Sequence, residues 1–250
     1  MQSIYTAKHG LQAQQQRLDT IASNLANVST TGYKSQSTGF KDALYTHMIN
    51  PADTTSTANL QQGSGVLVAT AYRDFTAGTP VATGETLDFC IEGDGFFTVQ
   101  NSAGEVQYTR SGAFTVSVEA TGRYLTTSEG YYVLDSDGNR IMLPEDANGI
   151  SVSSDGMLDF GNGTAAKLGI ATFVNKDGLA QMGKGCYAAT VASGDAIASK
   201  ATVRQGYLES SNVDVSLELT KLIRTQRAYS LAGKVLTTWD NMASETNNIR

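Results

Sequence analysis

Residues 3–28, SIYTAKHGLQAQQQRLDTIASNLANV, hold neither proline nor a cluster of turn formers, and Ala, Gln and Leu dominate them. Ile4, Leu11, Leu18 and Leu25 recur every seven residues, and Ala7, Gln14, Ile21 and Val28 fall between them with the same period. Two interleaved seven-residue repeats are the a/d pattern of a coiled-coil seam, so this stretch reads as a helix with one face seeking another helix. Gly10 costs that helix about 1 kcal/mol relative to Ala. Ser29-Thr30-Thr31-Gly32 is a breaker cluster, and the helix is expected to end near Asn27.

The other end of the chain mirrors it. Val215, Leu219, Leu222, Gln226 and Tyr229 keep three-and-four spacing, and Ala232, Val235, Trp239 and Met242 continue it on a slightly rotated face. One long helix is predicted from about Val215 to Ala243, capped at its start by Asn212 or Asp214. Its apolar face is wider than a strict seam, which calls for more than one neighbour.

Between the helices the period changes to two. Val66-Leu67-Val68-Ala69, Phe96-Phe97-Thr98-Val99, residues 113–118, Tyr131-Tyr132-Val133-Leu134 and residues 168–174 read as strands. Asn101-Ser102-Ala103-Gly104, Asp137-Gly138-Asn139, Asp155-Gly156 and Asp177-Gly178 punctuate them as turns. Short strands at such spacing predict an antiparallel sandwich or barrel-like body. The 25 glycines against 3 prolines agree with a turn-rich, β-rich centre. Residues 50–65 are rich in Thr, Ser, Gln, Asn and Gly and have little to bury, so a flexible or partner-ordered segment is expected there.

The expected fold class is therefore mixed α and β: an antiparallel β-rich central body inserted between two long terminal helices that pair as a coiled coil. Residues 1–33 with 207–250 form the helical domain, 34–70 an extended polar linker and 71–206 the body. A lone helical hairpin has one satisfied seam and further apolar faces, which other chains must cover.

A net charge of −6 argues against a nucleic-acid partner and against electrostatic docking on anionic membranes. No run of about eighteen apolar residues occurs, so nothing is expected to insert in a bilayer, and the N-terminus lacks the charged and apolar regions of a secretory signal. Cys90 and Cys186 both stand in apolar or aromatic contexts, which suits buried free thiols, with a disulfide left open.

Four motifs carry a resemblance to a known family: NLANVSTTGYK (24–34), GDGFF (93–97), YTRSGAF (108–114) and GYLESSNV (206–213). Together and in this order they resemble the signatures of flagellar rod and hook proteins, across the whole chain. The resemblance implies a tubular axial assembly whose terminal helices pack as coiled coils, export by the flagellar type III apparatus, and residence in the basal body. Its implied partners are copies of itself and other axial rod and hook proteins. The segment after FKDALY (40–45) is most similar to that of distal-rod subunits, with the proximal rod left open.

Candidate chemistry is sparse. Asp135-Ser136-Asp137-Gly138-Asn139 resembles the start of a calcium loop, but Arg140 and Asp146 stand where Gly and Glu are required, so a hairpin turn is the better reading. His9 and His47 lack zinc-ligand spacing, and GDGFF lacks the Lys-Ser/Thr pair of a phosphate loop. Neither a catalytic residue, a metal site, a cofactor nor a small-molecule substrate is expected. The residues expected to carry assembly are Ile4, Leu11, Leu18, Ile21, Asn24, Leu25, Asn27, Leu219, Leu222, Tyr229, Leu236 and Trp239. Tyr229 and Trp239 fit a partner anchor and packing within the chain's own hairpin equally well, and Arg224 and Arg227 fit a bridge to a neighbour or a solvated face. A secreted β-sandwich adhesin or enzyme on a helical stalk is the alternative from another class.

Overall fold

The computed structural model describes residues 2–48, 60–63, 65–120, 122–144 and 149–248, without the side chains of 2–4, 45–48 and 60–62. Most of the polar segment expected at 50–65 lies outside the described residues. The chain divides into two compact units, a helical one (Met1–Ala26, Gln36–Asp74, Asp214–Arg250) and a β body (Asn27–Ser35, Phe75–Val213).

In the helical unit, α1 spans Gln2–Ala26 and α2 spans Val215–Asn248. The Asp214 carboxylate accepts from the Leu217 backbone N–H at 3.1 Å and caps α2, whereas Asn212 is engaged elsewhere. A Cβ at Gly10 would meet nothing within 4 Å, so the helix tolerates that glycine without a packing reason for it. The two helices contact each other, and α1 also contacts a two-stranded antiparallel ribbon of Gln36–Asp42 with Val66–Arg73. This second neighbour shifts the burial. Ala13, Ile21 and Asn24 are the buried positions of α1, and Leu11, Leu18 and Leu25 are half-buried beside them. A bulge at Gly39/Phe40 interrupts the ribbon, and the Arg17 guanidinium lies 5.7 Å from the centre of the Phe40 ring. A second antiparallel pair, Tyr45–Met48 with Leu60–Gly63, occupies part of the stretch read as a polar linker.

The β body is built on a ten-stranded antiparallel sheet. Its main path runs Met142–Leu143, Gly122–Thr127, Tyr132–Val133, Phe96–Gln100, Val106–Thr109, Cys186–Ala188 and Ala180–Gly183. Phe114–Glu119 joins it through Gly122–Thr127, and Ile170–Thr172 through Phe96–Gln100. The period of two shows at adjacent phenylalanines. Phe97 and Val99 point into a cluster with Phe89, Phe114, Leu125 and Val133, while Phe96 points into another with Tyr108, Phe173 and Tyr187. Edge-to-face contacts order both, with Phe97–Phe114 centroids at 5.1 Å and Tyr108–Phe173 at 4.8 Å. Full burial of each such ring contributes roughly 1.5–3 kcal/mol.

The acidic stretch 135–139 is a hairpin turn: Gly138 has φ +82°, and the Asp135 N–H donates to the Asn139 carbonyl at 2.8 Å. Two short strands late in the chain complete the body. Thr202–Gln205 pairs with Phe89–Glu92, and Tyr207–Glu209 pairs with Pro80–Ala82. Both late strands lie antiparallel to partners more than a hundred residues earlier.

Candidate functional site

Tyr207–Glu209 ends on a carboxylate that is almost wholly buried. Oε1 of Glu209 accepts from Lys34 Nζ at 2.6 Å and from the Gly78 N–H at 2.7 Å, and Oε2 accepts from Arg110 Nε at 2.5 Å. Its backbone carbonyl accepts from the Gly32 N–H at 2.8 Å. The cations are satisfied in turn. Lys34 Nζ donates to the Thr76 carbonyl at 2.6 Å, and Arg110 donates to the carbonyls of Gly93 at 2.7 Å, Ile91 at 3.2 Å and Gly95. Two cations against one carboxylate would be expensive in a dry interior. Four carbonyl dipoles supply the balance.

The chain is shaped around this junction. A Cβ on Gly112 would stand 1.7 Å from the Phe89 carbonyl oxygen, and one on Gly32, already at φ +67°, would stand 2.6 Å from the Ser111 nitrogen. Only glycine lets these backbones approach. Asn212, two residues from the α2 cap, accepts from the Ser35 N–H at 2.7 Å and donates to the Thr76 carbonyl at 3.3 Å. The segments that lead out of α1 and into α2 are thereby held side by side in the body.

In the helical unit a second buried polar group performs a comparable task. Asn24 donates to the Gln36 carbonyl at 2.8 Å and accepts from the Gln36 N–H at 2.9 Å, bracketing one residue as a neighbouring strand would. It also donates to Glu218 Oε2 at 3.4 Å, and Glu218 Oε1 takes Lys221 Nζ at 2.6 Å. The end of α1 is thus joined to the beginning of α2.

The residues read as an assembly set fall into three groups. Ile21 and Asn24 are buried; Leu11, Leu18, Leu25, Asn27, Leu222 and Leu236 are half-buried; Leu219, Tyr229 and Trp239 are exposed. The side chain of Ile4 lies outside the described residues. Asn27 sits in the turn after α1, where its carbonyl accepts from the Thr30 N–H at 3.1 Å. Leu217, Ile223, Leu231, Val235 and Met242 are further exposed apolar residues of α2 that the set omitted. Lys34, Arg110, Glu209 and Glu218 were also missed. The first three stood inside quoted motifs, where a charged residue amid glycines and aromatics is the only local sign of burial.

Burial pushes the Cys186 thiol up to about 11 and also raises that of Cys90, so both stay protonated near neutral pH. Both are free and buried, as core residues are. Among the described residues no cluster of His, Cys, Asp or Glu could hold a metal ion, and no described helix is long and apolar enough to cross a membrane.

The chain combines a unit built on its first and last helices with an antiparallel β body that the segments after α1 and before α2 enter, and comparison with known proteins places this architecture. Residues 4–34 match the family "Flagella basal body rod protein", 90–160 the "Flagellar hook protein FlgE/F/G D1 domain" and 204–249 the "Flagellar basal body rod FlgEFG protein C-terminal". The chain belongs to the flagellar basal-body rod proteins. It is similar over its full length to the flagellar basal-body rod protein FlgG of Borreliella burgdorferi, at 36% identity and 99% of that protein, and to FlgG of Bacillus subtilis, at 33% and 99%. FlgF of Caulobacter vibrioides is 34% identical over 90% of this chain and 87% of its own length. The three charges of the buried junction come one from each matched segment: Lys34, Arg110 and Glu209.

Proposed function

We propose that this chain is a non-catalytic structural subunit of the distal rod, delivered by the flagellar type III apparatus and built into the axial drive shaft through its terminal helices. α1 and α2 pair as a coiled coil and present their remaining faces to copies of the same chain and to adjoining rod and hook subunits. Ile4, Leu11, Leu18, Ile21, Leu25, Leu219, Leu222, Tyr229, Leu236 and Trp239 form the contact set. Asn24 and Asn27 hold the turn that sets the helix direction.

The observation that carries this reading is the uncovered apolar surface of α2. Leu217, Leu231, Val235 and Met242 stand on one flank and Leu219 and Ile223 on another, all exposed. Apolar rows on two sides of one helix need neighbours on two sides. The full-length similarity to FlgG rod proteins favours the distal position.

Electron microscopy of basal bodies from cells lacking this chain tests the reading. The expected particles stop at an incomplete rod without hook or filament, and the point of arrest separates distal from proximal rod. Complete, rotating flagella would overturn it.

A further inference from the structure

A cleft of about 670 Å³ opens in the β body over the strand Phe96–Gln100. Its walls are the hairpin turn at 135–138, the stretch 167–171 and the stretch 196–201. Backbone hydrogen bonds fix all three. The Thr98 N–H donates to the Gly169 carbonyl, the Gly169 N–H to the Leu134 carbonyl and the Ser199 N–H to the Ile170 carbonyl, each at 2.9 Å. A Cβ on Gly169 would stand 2.8 Å from the Asp135 carbonyl oxygen, so glycine is what lets the hairpin close on this wall. The cleft is formed by the fold itself, and its backbone needs no ordering when a ligand enters.

Tyr108 lines this cleft and is only 8% exposed. Phe173 holds its ring edge-to-face, and burial raises the phenol above its ordinary value. The hydroxyl makes no hydrogen bond among the described residues, yet it is not sealed from solvent. Thr98 stands opposite Tyr108 in the register, and its hydroxyl is likewise unpartnered among the described residues. A buried phenol ordinarily finds a partner, because without one it forfeits the hydrogen bond it had with water. Here the partner has to come from inside the cleft, as water or as a ligand that displaces it.

The charges of the lining decide what kind of ligand fits. Asp135, Asp155, Lys167 and Lys200 contribute to it, and none of the four makes an ion pair among the described residues. Two charges of each sign sum to zero, which gives no net attraction for a phosphate, a nucleotide or a polycation. They offer acceptors and donors together, as the hydroxyls of Tyr108 and Thr98 do. Ile170, Ala171 and Ala198 add apolar surface. A molecule with hydroxyls around its edge and C–H groups on its faces satisfies both. We infer that the cleft binds a short neutral oligosaccharide, with the Tyr108 and Thr98 hydroxyls bonded to sugar hydroxyls and the Ala171 and Ala198 methyls under a ring face. Its volume lies within the roughly 300–1,000 Å³ of small-molecule sites.

The test is a nuclear magnetic resonance titration of the purified full-length chain, labelled at isoleucine and alanine methyls, with cellotriose, maltotriose and tri-N-acetylchitotriose. At least one of these sugars is expected to move the Ile170, Ile197, Ala171 and Ala198 signals saturably at millimolar concentration. The methyls of Ile91 and Ile141, buried in the core of the body, should stay in place. Tyr108→Phe removes only the hydroxyl, so it should weaken binding about tenfold, the usual value of one hydrogen bond, and leave the melting temperature unchanged. Ala198→Phe, at an exposed strand position opposite Ala171, fills the cleft and should abolish binding while the core methyl signals persist. Inorganic phosphate should move none of the cleft signals. The absence of a saturable shift with all three sugars overturns the inference. So does a Tyr108→Phe chain that binds like its parent, a shift confined to methyls elsewhere, or phosphate acting as the sugar does. Each of these outcomes leaves the rod reading intact, since particles from cells lacking the chain decide that separately.

Discussion

Glu209 is held by two cations and by a backbone N–H, and it gives each cation its counter-charge in a dry interior. Glu209→Gln keeps the shape but leaves Lys34 and Arg110 uncompensated, which costs about 3–5 kcal/mol. Urea unfolding of the body should show that loss, and a loss below about 1 kcal/mol would mean that water reaches the junction. Cys186 gives a pH signature. Its folded-state value of about 11 lies above the ordinary thiol value of 9.0, so the folded chain holds this proton more tightly than the unfolded one. The associated stability is therefore fully present below about pH 8.5 and falls as pH rises to about 11, by on the order of 2–3 kcal/mol. Cys186→Ala should decline less over that window, and identical declines in the two proteins would refute the assignment. Asp94 behaves oppositely. The hydrogen bond from Lys176 depresses its carboxyl value, so its small contribution is present near neutral pH and vanishes in acid.

At the scale of elements, Asn24 ties α1 to the strand Gln36–Asp42 through both backbone hydrogen-bonding groups of Gln36. Asn24→Ala strands those groups and one oxygen of Glu218, a loss of about 2–3 kcal/mol. Hydrogen exchange should show it as faster opening of Gln36–Asp42, with the amides of the body unchanged. Leu222→Asp places a charge on the half-buried face of α2. The expected outcome is exclusion from basal bodies with the melting transition of the β body unaltered, and a normal rod containing the variant would count against assembly through this helix. The elements themselves were partly legible. α1 ends at Ala26, beside the Asn27 expected from its breaker cluster, because a run of apolar heptads and a Ser-Thr-Thr-Gly stop are both local signals. α2 runs to Asn248 rather than Ala243, since its last residues keep helical backbone after the apolar period that marked it has stopped. The ribbon Gln36–Asp42 with Val66–Arg73 was half legible: Val66-Leu67-Val68-Ala69 alternates, but its partner strand is polar and takes its conformation from the pairing.

On the scale of the whole molecule, the body is assembled from pieces that arrive at both ends of the chain. Strands Thr202–Gln205 and Tyr207–Glu209 pair with Phe89–Glu92 and Pro80–Ala82, and Glu209 joins Lys34 across 175 residues and Arg110 across 99. A chain ending at residue 213 keeps these strands and should retain cooperative unfolding of the body. One ending at residue 201 should lose cooperative unfolding together with the near-ultraviolet signature of packed Phe and Tyr. Equal cooperativity in both would show that the late strands are dispensable. Helical and extended stretches, turns, apolar faces and the four family motifs were all readable in the linear chain, because each depends on residues within a few positions of one another. The meeting of three of those motifs on a single buried carboxylate was not. Nor was the rotation of α1 that buries Ala13 and Asn24 and leaves Leu11, Leu18 and Leu25 at the margin. Both depend on which distant surfaces come into contact, and a charge buried against a partner a hundred residues away reads locally like any solvated one.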